Sequence, residues 1–212
     1  MATDLIGIDC AVPSPEALDV VASAIRMGNV VAIPTDTLYA LAADPLSLRA
    51  VRRIYEAKGR AINRALPILV RDALMVEDFA RDISPRFRML TRRFWPGPLT
   101  IILQASTRLP LLATGNTGRL AVRQARSLVV EELINRLNGP LIATSANISG
   151  RPTCVTGIEA FGVMDGRVDL VLDGGLCKGA GATTVDITDP DWKVIKHGAI
   201  SEREIAECLE GL

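Results

Sequence analysis

Pro140-Leu141-Ile142-Ala143-Thr144-Ser145-Ala146-Asn147-Ile148-Ser149-Gly150-Arg151-Pro152-Thr153 passes from an apolar, strand-like run into a cluster of small hydroxyl and amide side chains. Ser, Thr and Asn each donate and accept hydrogen bonds in little space. Such a cluster at a strand end, ahead of a Gly-Arg-Pro turn, suits a ligand-binding loop. A second segment has the same layout: residues 30–33 read as a short buried strand that runs into Pro34-Thr35-Asp36-Thr37-Leu38-Tyr39. A third supplies charge, Lys58-Gly59-Arg60 with Arg64 close behind. Hydroxyl-rich strand ends beside a basic loop point to a site for an anionic, polar small molecule.

Outward from these segments, helix and strand signals alternate along the chain. Ser14-Pro15-Glu16 gives an N-cap with Pro at the first helical position, and Gly28 ends that helix. Ser47 starts a second helix, with Leu48, Val51, Ile54 and Tyr55 at helical spacing and a stop at Gly59. Lys58 and Arg60 therefore fall at its C-terminal end. Further helices are expected from Ser84-Pro85 to the Trp95-Pro96-Gly97-Pro98 break, from Ser127 to Asn138-Gly139, and after the capping box Ser201-Glu202-Arg203-Glu204. Strands are expected over 66–70, 99–103, 120–123, 140–144, 169–173, 183–187 and 192–196. Without repeats or linkers, this alternation predicts one α/β domain over 1–212, with its core over 14–210. The crowded C-terminal strands argue for a twisted mixed sheet flanked by helices rather than a purely parallel one.

Composition sets limits. Nearly half of the 212 residues are hydrophobic, enough for a sizeable core, and with aromatics at 4% aliphatic side chains must fill it. No run approaches the roughly 20 apolar residues of a membrane span, and the start of the chain lacks a signal-peptide pattern. Cys10, Cys154, Cys177 and Cys208 are scattered without CxxC spacing and read as reduced thiols of a cytoplasmic protein, with no metal site. Net charge is zero, yet residues 49–126 hold 16 Lys and Arg against 5 Asp and Glu, a local +11. That asymmetry suggests a basic cavity or surface, although many of these arginines suit solvated helix faces. There is no GxxxxGK[ST] and no GxGxxG after a strand. Ser145 has no evident histidine partner, so nucleophilic catalysis of the serine-protease kind is not expected.

The ordered set Pro34 to Tyr39, Lys58-Gly59-Arg60, Trp95-Pro96-Gly97-Pro98-Leu99-Thr100, Ala121-Val122-Arg123, Ser145 to Gly150, Asp173-Gly174-Gly175 and Thr183-Thr184-Val185-Asp186 resembles the YrdC-like threonylcarbamoyl-AMP synthase family, in its short single-domain form. The resemblance covers nearly the whole chain. It implies a nucleotidyltransferase that makes threonylcarbamoyl-AMP and pyrophosphate from L-threonine, bicarbonate and ATP. Mg²⁺ would accompany the ATP. The product would feed a downstream transferase complex that forms threonylcarbamoyladenosine in tRNA. By position, the resemblance gives Lys58 and Arg60 the ATP phosphates and makes them catalytic together with Ser145. It gives threonine to Thr35, Thr37, Arg123 and Thr183, and gives the nucleotide to Ser145, Asn147 and Lys196 as well.

The chain departs from the family pattern in several places. Ala40 stands where Gly is usual, Ala61 where Pro is usual, and Gln124-Ala125 where x-Pro follows the arginine. Leu69 takes a position that is His in some members, and Lys196 takes one that is usually Arg. An Ala at position 40 would cost energy if the backbone there needed a positive φ. The same departures suit YciO-like paralogues, for which the +11 segment would serve a tRNA- or double-stranded-RNA-binding module. Such a module has no need of Thr35, Ser145 and Asn147.

Overall fold

Strand pairing assembles the chain into one mixed sheet. The computed structural model describes residues 2–210, so residues 1, 211 and 212 of the expected domain lie outside the described residues. In chain order the elements are β1 (Asp4–Gly7), α1 (Pro15–Arg26), β2 (Val31–Ile33), β3 (Ala40–Ala43), α2 (Leu48–Lys58), β4 (Ile68–Leu69), α3 (Ala73–Glu77), α4 (Pro85–Phe94), β5 (Leu99–Gln104), β6 (Arg119–Arg123), α5 (Leu128–Leu137), β7 (Leu141–Ser145), α6 (Gly157–Met164), β8 (Leu170–Asp173), β9 (Thr183–Asp186), β10 (Lys193–Lys196) and α7 (Glu202–Leu209). The sheet runs β1-β8-β2-β3-β7-β4-β6-β5-β9-β10. The β1/β8, β2/β8, β4/β6 and β5/β9 pairs are parallel, and the remaining pairs are antiparallel.

Local chemistry sets the helix starts. Ser14, Ser47, Ser84, Ser127 and Ser201 each accept a hydrogen bond from the backbone N–H three residues on, at the positions where the sequence placed a cap. Each such cap contributes about 1 kcal/mol. Gly59 ends α2 in the left-handed region at φ 56°, where a side chain is disfavoured.

Helices cover both faces of the sheet. On one face α1 and α5 pack Leu18, Ile25, Val129 and Leu133 onto Ile33, Ala42, Leu69 and Leu141. On the other, α2 and α6 bury Val51, Ile54, Ala160 and Met164 against Leu41, Ile142 and Val171. Beside them α4 and α7 bury Phe87, Leu90, Ile205 and Leu209 against Ile101, Val122 and Val185. No helix among the described residues is long and apolar enough to cross a membrane.

Four elements escaped the sequence reading: β1, β3, α3 and α6. β3 is the consequential one. Ala40-Leu41-Ala42-Ala43 has weak strand propensity, yet it is buried throughout and hydrogen-bonded on both sides, to β2 and β7. The expected strand over 66–70 shrinks to Ile68–Leu69. Ala40 itself is extended and is not among the residues with positive φ, so it carries no left-handed strain.

Candidate functional site

A cavity of about 240 Å³ opens on the α1/α5 face of the sheet, beyond the reach of those helices. Its wall follows from strand register. Leu69 pairs with Arg123, Thr100 with Thr184, and Thr184 with Lys196. Ile101 pairs with Val122, so the adjacent Thr100 and Arg123 stand side by side. Because side chains alternate between faces, this row of five projects into the same space. Ser145 and Ala40, also paired, join it from β7 and β3. The β2–β3 loop, with Thr35 and Thr37, and Arg60 from the loop after α2 complete the lining. Arg60, Arg123 and Lys196 line the cavity, and no carboxylate does. The expected basic cavity is therefore present. Most other basic residues of the +11 segment are exposed, on helices (Arg49, Arg52, Arg88, Arg92 and Arg93) or in loops (Arg64, Arg71, Arg81, Arg108 and Arg126).

Arg123 is 7% exposed and held from three sides. Its Nε donates to Gly97 O at 2.9 Å, Nη1 to Thr37 Oγ1 at 3.0 Å, and Nη2 to Asp36 Oδ1 at 2.5 Å. Burial lowers its pKa, and Asp36 works against that. Two of the five N–H groups of a guanidinium remain for a ligand. The Trp95-Pro96-Gly97-Pro98 corner thus acts by presenting the Gly97 carbonyl. Gly97 is required there, because a Cβ would come within 2.4 Å of Phe94 O.

Thr35 and Thr37 shape the wall more than they offer free hydroxyls. Thr35 Oγ1 donates to Leu38 O at 2.6 Å and accepts from the backbone N–H groups of Thr37 and Leu38, the pattern of a hydroxyl-closed turn. Thr37 Oγ1 serves Arg123. Tyr39, fully buried, accepts from Gly174 N–H and donates to Gly175 O, both at 2.9 Å. That contact ties the loop to the Asp173-Gly174-Gly175 turn. Gly179 is pressed onto the same loop, its missing Cβ 2.5 Å from Thr37 Cα.

Behind Ser145 the structure revises the roles expected of Lys58 and Asn147. Both are buried and neither lines the cavity. Lys58 Nζ donates to Ser145 O at 2.5 Å, Asn147 Oδ1 at 2.9 Å and Asn147 O at 3.0 Å, which takes up all three ammonium hydrogens. Burial, followed by the charge of Arg60, pushes its pKa down from 10.5 to about 8. Asn147 also accepts from Ser145 Oγ at 2.6 Å and donates Nδ2 to Arg151 O at 2.6 Å. Lys58 is thus a buried post behind the Ser145–Ser149 loop, not a phosphate contact in this state. Ser145 reaches the cavity with its hydrogen engaged, so it offers lone pairs to a donor.

Arg60 is the loosely held cation. Its one hydrogen bond among the described residues is Nη2 to Ala65 O at 3.5 Å, and its enclosed Nε has no partner among them. Burial lowers its pKa as well.

The assignment of Thr183 to threonine is corrected. Its side chain is fully buried, and its hydroxyl donates to Ile200 O at 2.6 Å and accepts from Ile200 N at 3.0 Å. The pleat turns Thr184 toward the cavity instead. Sequence reasoning also missed Thr100 and Leu69 as lining residues. The strand pattern through 99–103 could have flagged Thr100 as a polar side chain on a strand that packs its other face in the core.

No group of three or more His, Cys, Asp or Glu converges among the described residues. The carboxylate beside the cavity, Asp36, is engaged by Arg123. The donor set does not fit a resident divalent cation; such an ion would come with a polyphosphate that carries its own ligands.

A curated threonylcarbamoyl-AMP synthase of Pyrococcus abyssi is 35% identical over 191 residues, covering 90% of this chain and 56% of its own length. The crystal structure of P. abyssi Sua5 complexed with L-threonine superposes with a TM-score of 0.94 at 33% identity, over 98% of this chain and 61% of that one. The chain therefore spans little more than half the length of these relatives. E. coli YciO matches with a TM-score of 0.87 at 21% identity over 96% of this chain and 99% of that one, which shows a shared fold. The Sua5/YciO/YrdC family model, described as telomere recombination, matches residues 23–198, and the chain belongs to that family.

Proposed function

We propose that this chain is a threonylcarbamoyl-AMP synthase, acting on L-threonine, bicarbonate and ATP. The observation that carries the reading is the polarity of the cavity. Arg123 stands in the middle of the strand row with a fixed fork and two free N–H groups, and Arg60 and Lys196 add positive charge elsewhere on the wall. A planar fork suits a carboxylate. Loosely held cations suit a polyphosphate, and the name of the Pyrococcus relative fits both.

The threonine amine and bicarbonate combine with loss of water to give a carbamate. A carbamate oxygen then forms a bond to the α-phosphorus, and the bond to the bridging oxygen breaks. Pyrophosphate leaves with that electron pair. Negative charge builds on phosphoryl oxygens, and fixed cations stabilise it without a side-chain nucleophile. Mg²⁺ would accompany the triphosphate, held by the phosphate oxygens, and would neutralise part of its charge. Ser145, with lone pairs toward the cavity, accepts from a carbamate N–H or a ribose hydroxyl. The product is a mixed anhydride, fit to pass its threonylcarbamoyl group to tRNA adenosine through a transferase complex.

An RNA-binding role would use an exposed basic face and leave the cavity without a purpose. Mass spectrometry after incubation with ATP, L-threonine and bicarbonate tests the proposal. Threonylcarbamoyl-AMP should form only when all three are present, and pyrophosphate release that proceeds without threonine would overturn it.

A further inference from the structure

The side-chain row across β4, β6 and β5 places two residues of opposite chemistry on either side of Arg123. Leu69 is its register partner on β4, and Thr100 stands beside it on β5. Neighbouring side chains in such a row have Cβ atoms about 4.5–5.5 Å apart. Both residues line the cavity while being only 3% and 6% exposed. Thr100 Oγ1 opens into that space with no hydrogen bond to a described residue, whereas Thr35, Thr37 and Thr183 have their hydroxyls engaged by the protein. An unpaired hydroxyl on an otherwise buried residue favours a ligand that can complete it.

We propose that Thr100 and Leu69 read the amino-acid side chain of the substrate, Thr100 hydrogen-bonding its β-hydroxyl and Leu69 packing on its β-methyl. This rests on the assignment of Arg123 to an α-carboxylate. An α-amino acid held there by its carboxylate has its β-carbon two bonds away, within reach of both flanking side chains. A β-carbon that bears one hydroxyl and one methyl matches a pair made of one hydroxyl and one aliphatic group. Serine would leave Leu69 without its contact, and valine would leave the Thr100 hydroxyl unpaired. Sites built to bond a substrate hydroxyl reject analogues that lack it more strongly than sites that miss one methyl.

Calorimetric titration of the wild-type chain with L-threonine, L-serine and L-valine provides the baseline. Threonine should bind more tightly than serine by about 10-fold or more, and than valine by a larger factor. Thr100→Val should shrink the threonine-to-valine ratio by about 10-fold or more while holding the threonine-to-serine ratio. Thr100→Ser should keep both. Leu69→Ala should reduce the threonine-to-serine ratio by about 10-fold, and Leu69→Val, which disturbs packing less, should reduce it partway. If the wild type discriminates among the three and both ratios survive Thr100→Val and Leu69→Val, the proposal is overturned while the threonine assignment stands. If the wild type binds none of them, the underlying functional reading fails instead.

Discussion

The two arginines of the cavity are built in opposite ways. Arg123 emerges from a central strand, is nearly fully buried, and has three of its five N–H groups fixed by Gly97, Thr37 and Asp36. Arg60 follows the left-handed Gly59, makes a single hydrogen bond among the described residues, to Ala65 O at 3.5 Å, and keeps an enclosed Nε without a partner among them. A preorganised fork loses little freedom on binding. An unsatisfied cation gains most when an anion arrives. The contrast suggests that one part of the cavity wall is finished by folding and another by the ligand.

The comparison breaks most readily at Arg123. Arg123→Ala strands the Asp36 carboxylate and should cost about 3 kcal/mol of stability, seen in chemical denaturation. Arg123→Lys keeps the charge without the fork and should raise the KM for threonine while leaving that for ATP unchanged. If threonine dependence is untouched in the lysine variant, Arg123 is not the carboxylate partner.

Arg60→Ala should behave in the reverse sense. Turnover should drop about 10²–10³-fold through lost charge stabilisation. Stability should change by less than about 0.5 kcal/mol, because so little of the fold rests on this side chain. A large fall in the denaturation midpoint would show that Arg60 is as structural as Arg123.

Lys58 sharpens the picture, being a cation used wholly by the protein. Lys58→Ala leaves the Asn147 carbonyl without its donor and the Ser145 carbonyl with only the Asn147 N–H, and should cost about 1–3 kcal/mol as well as activity. Raising the pH tests the same contact reversibly. With its pKa near 8, Lys58 loses a proton and one of three donors in alkaline solution, so kcat should decline as pH rises through about 8. Stability should move the other way. The folded value lies below the ordinary 10.5, so the unfolded chain holds more protons between these values, and this group's contribution rises across that window. Parallel loss of activity and stability would assign the pH effect to another group.

Ser145→Ala should cost about 1 kcal/mol of stability for the bond to Asn147 Oδ1, with a fall in kcat/KM measured by pyrophosphate release. Normal specific activity would remove Ser145 from the ligand's contacts.

How much of this was legible in the chain differs by region. The serine caps, the Gly59 stop and the capping box at Ser201 place their helices because each is a local hydrogen bond or a backbone preference. The second capping box, Thr156 with Glu159, carried the same signal for α6 and could have been read. β3 could not be read that way, since Ala40–Ala43 becomes a strand through its neighbours β2 and β7 rather than its own propensity. In the site, the resemblance singled out Thr35, Thr37, Arg60, Arg123, Ser145 and, at a departure from the family pattern, Lys196, and these line the cavity. It could not separate Thr183 from Thr184, because one residue of register decides which hydroxyl faces the core and which the cavity.

The sequence by itself determined which residues could do polar chemistry and where its helices begin, since caps, turns and residue types act over a few positions. Tertiary structure alone decided which of those groups face a ligand. Strand pairing aligned Leu69, Arg123, Thr100, Thr184 and Lys196 from five separate strands. Packing of the loop that follows β7 onto the end of α2 turned Lys58 inward to hold Ser145 and Asn147. Those outcomes depend on contacts between residues far apart in the chain, and no local preference encodes them.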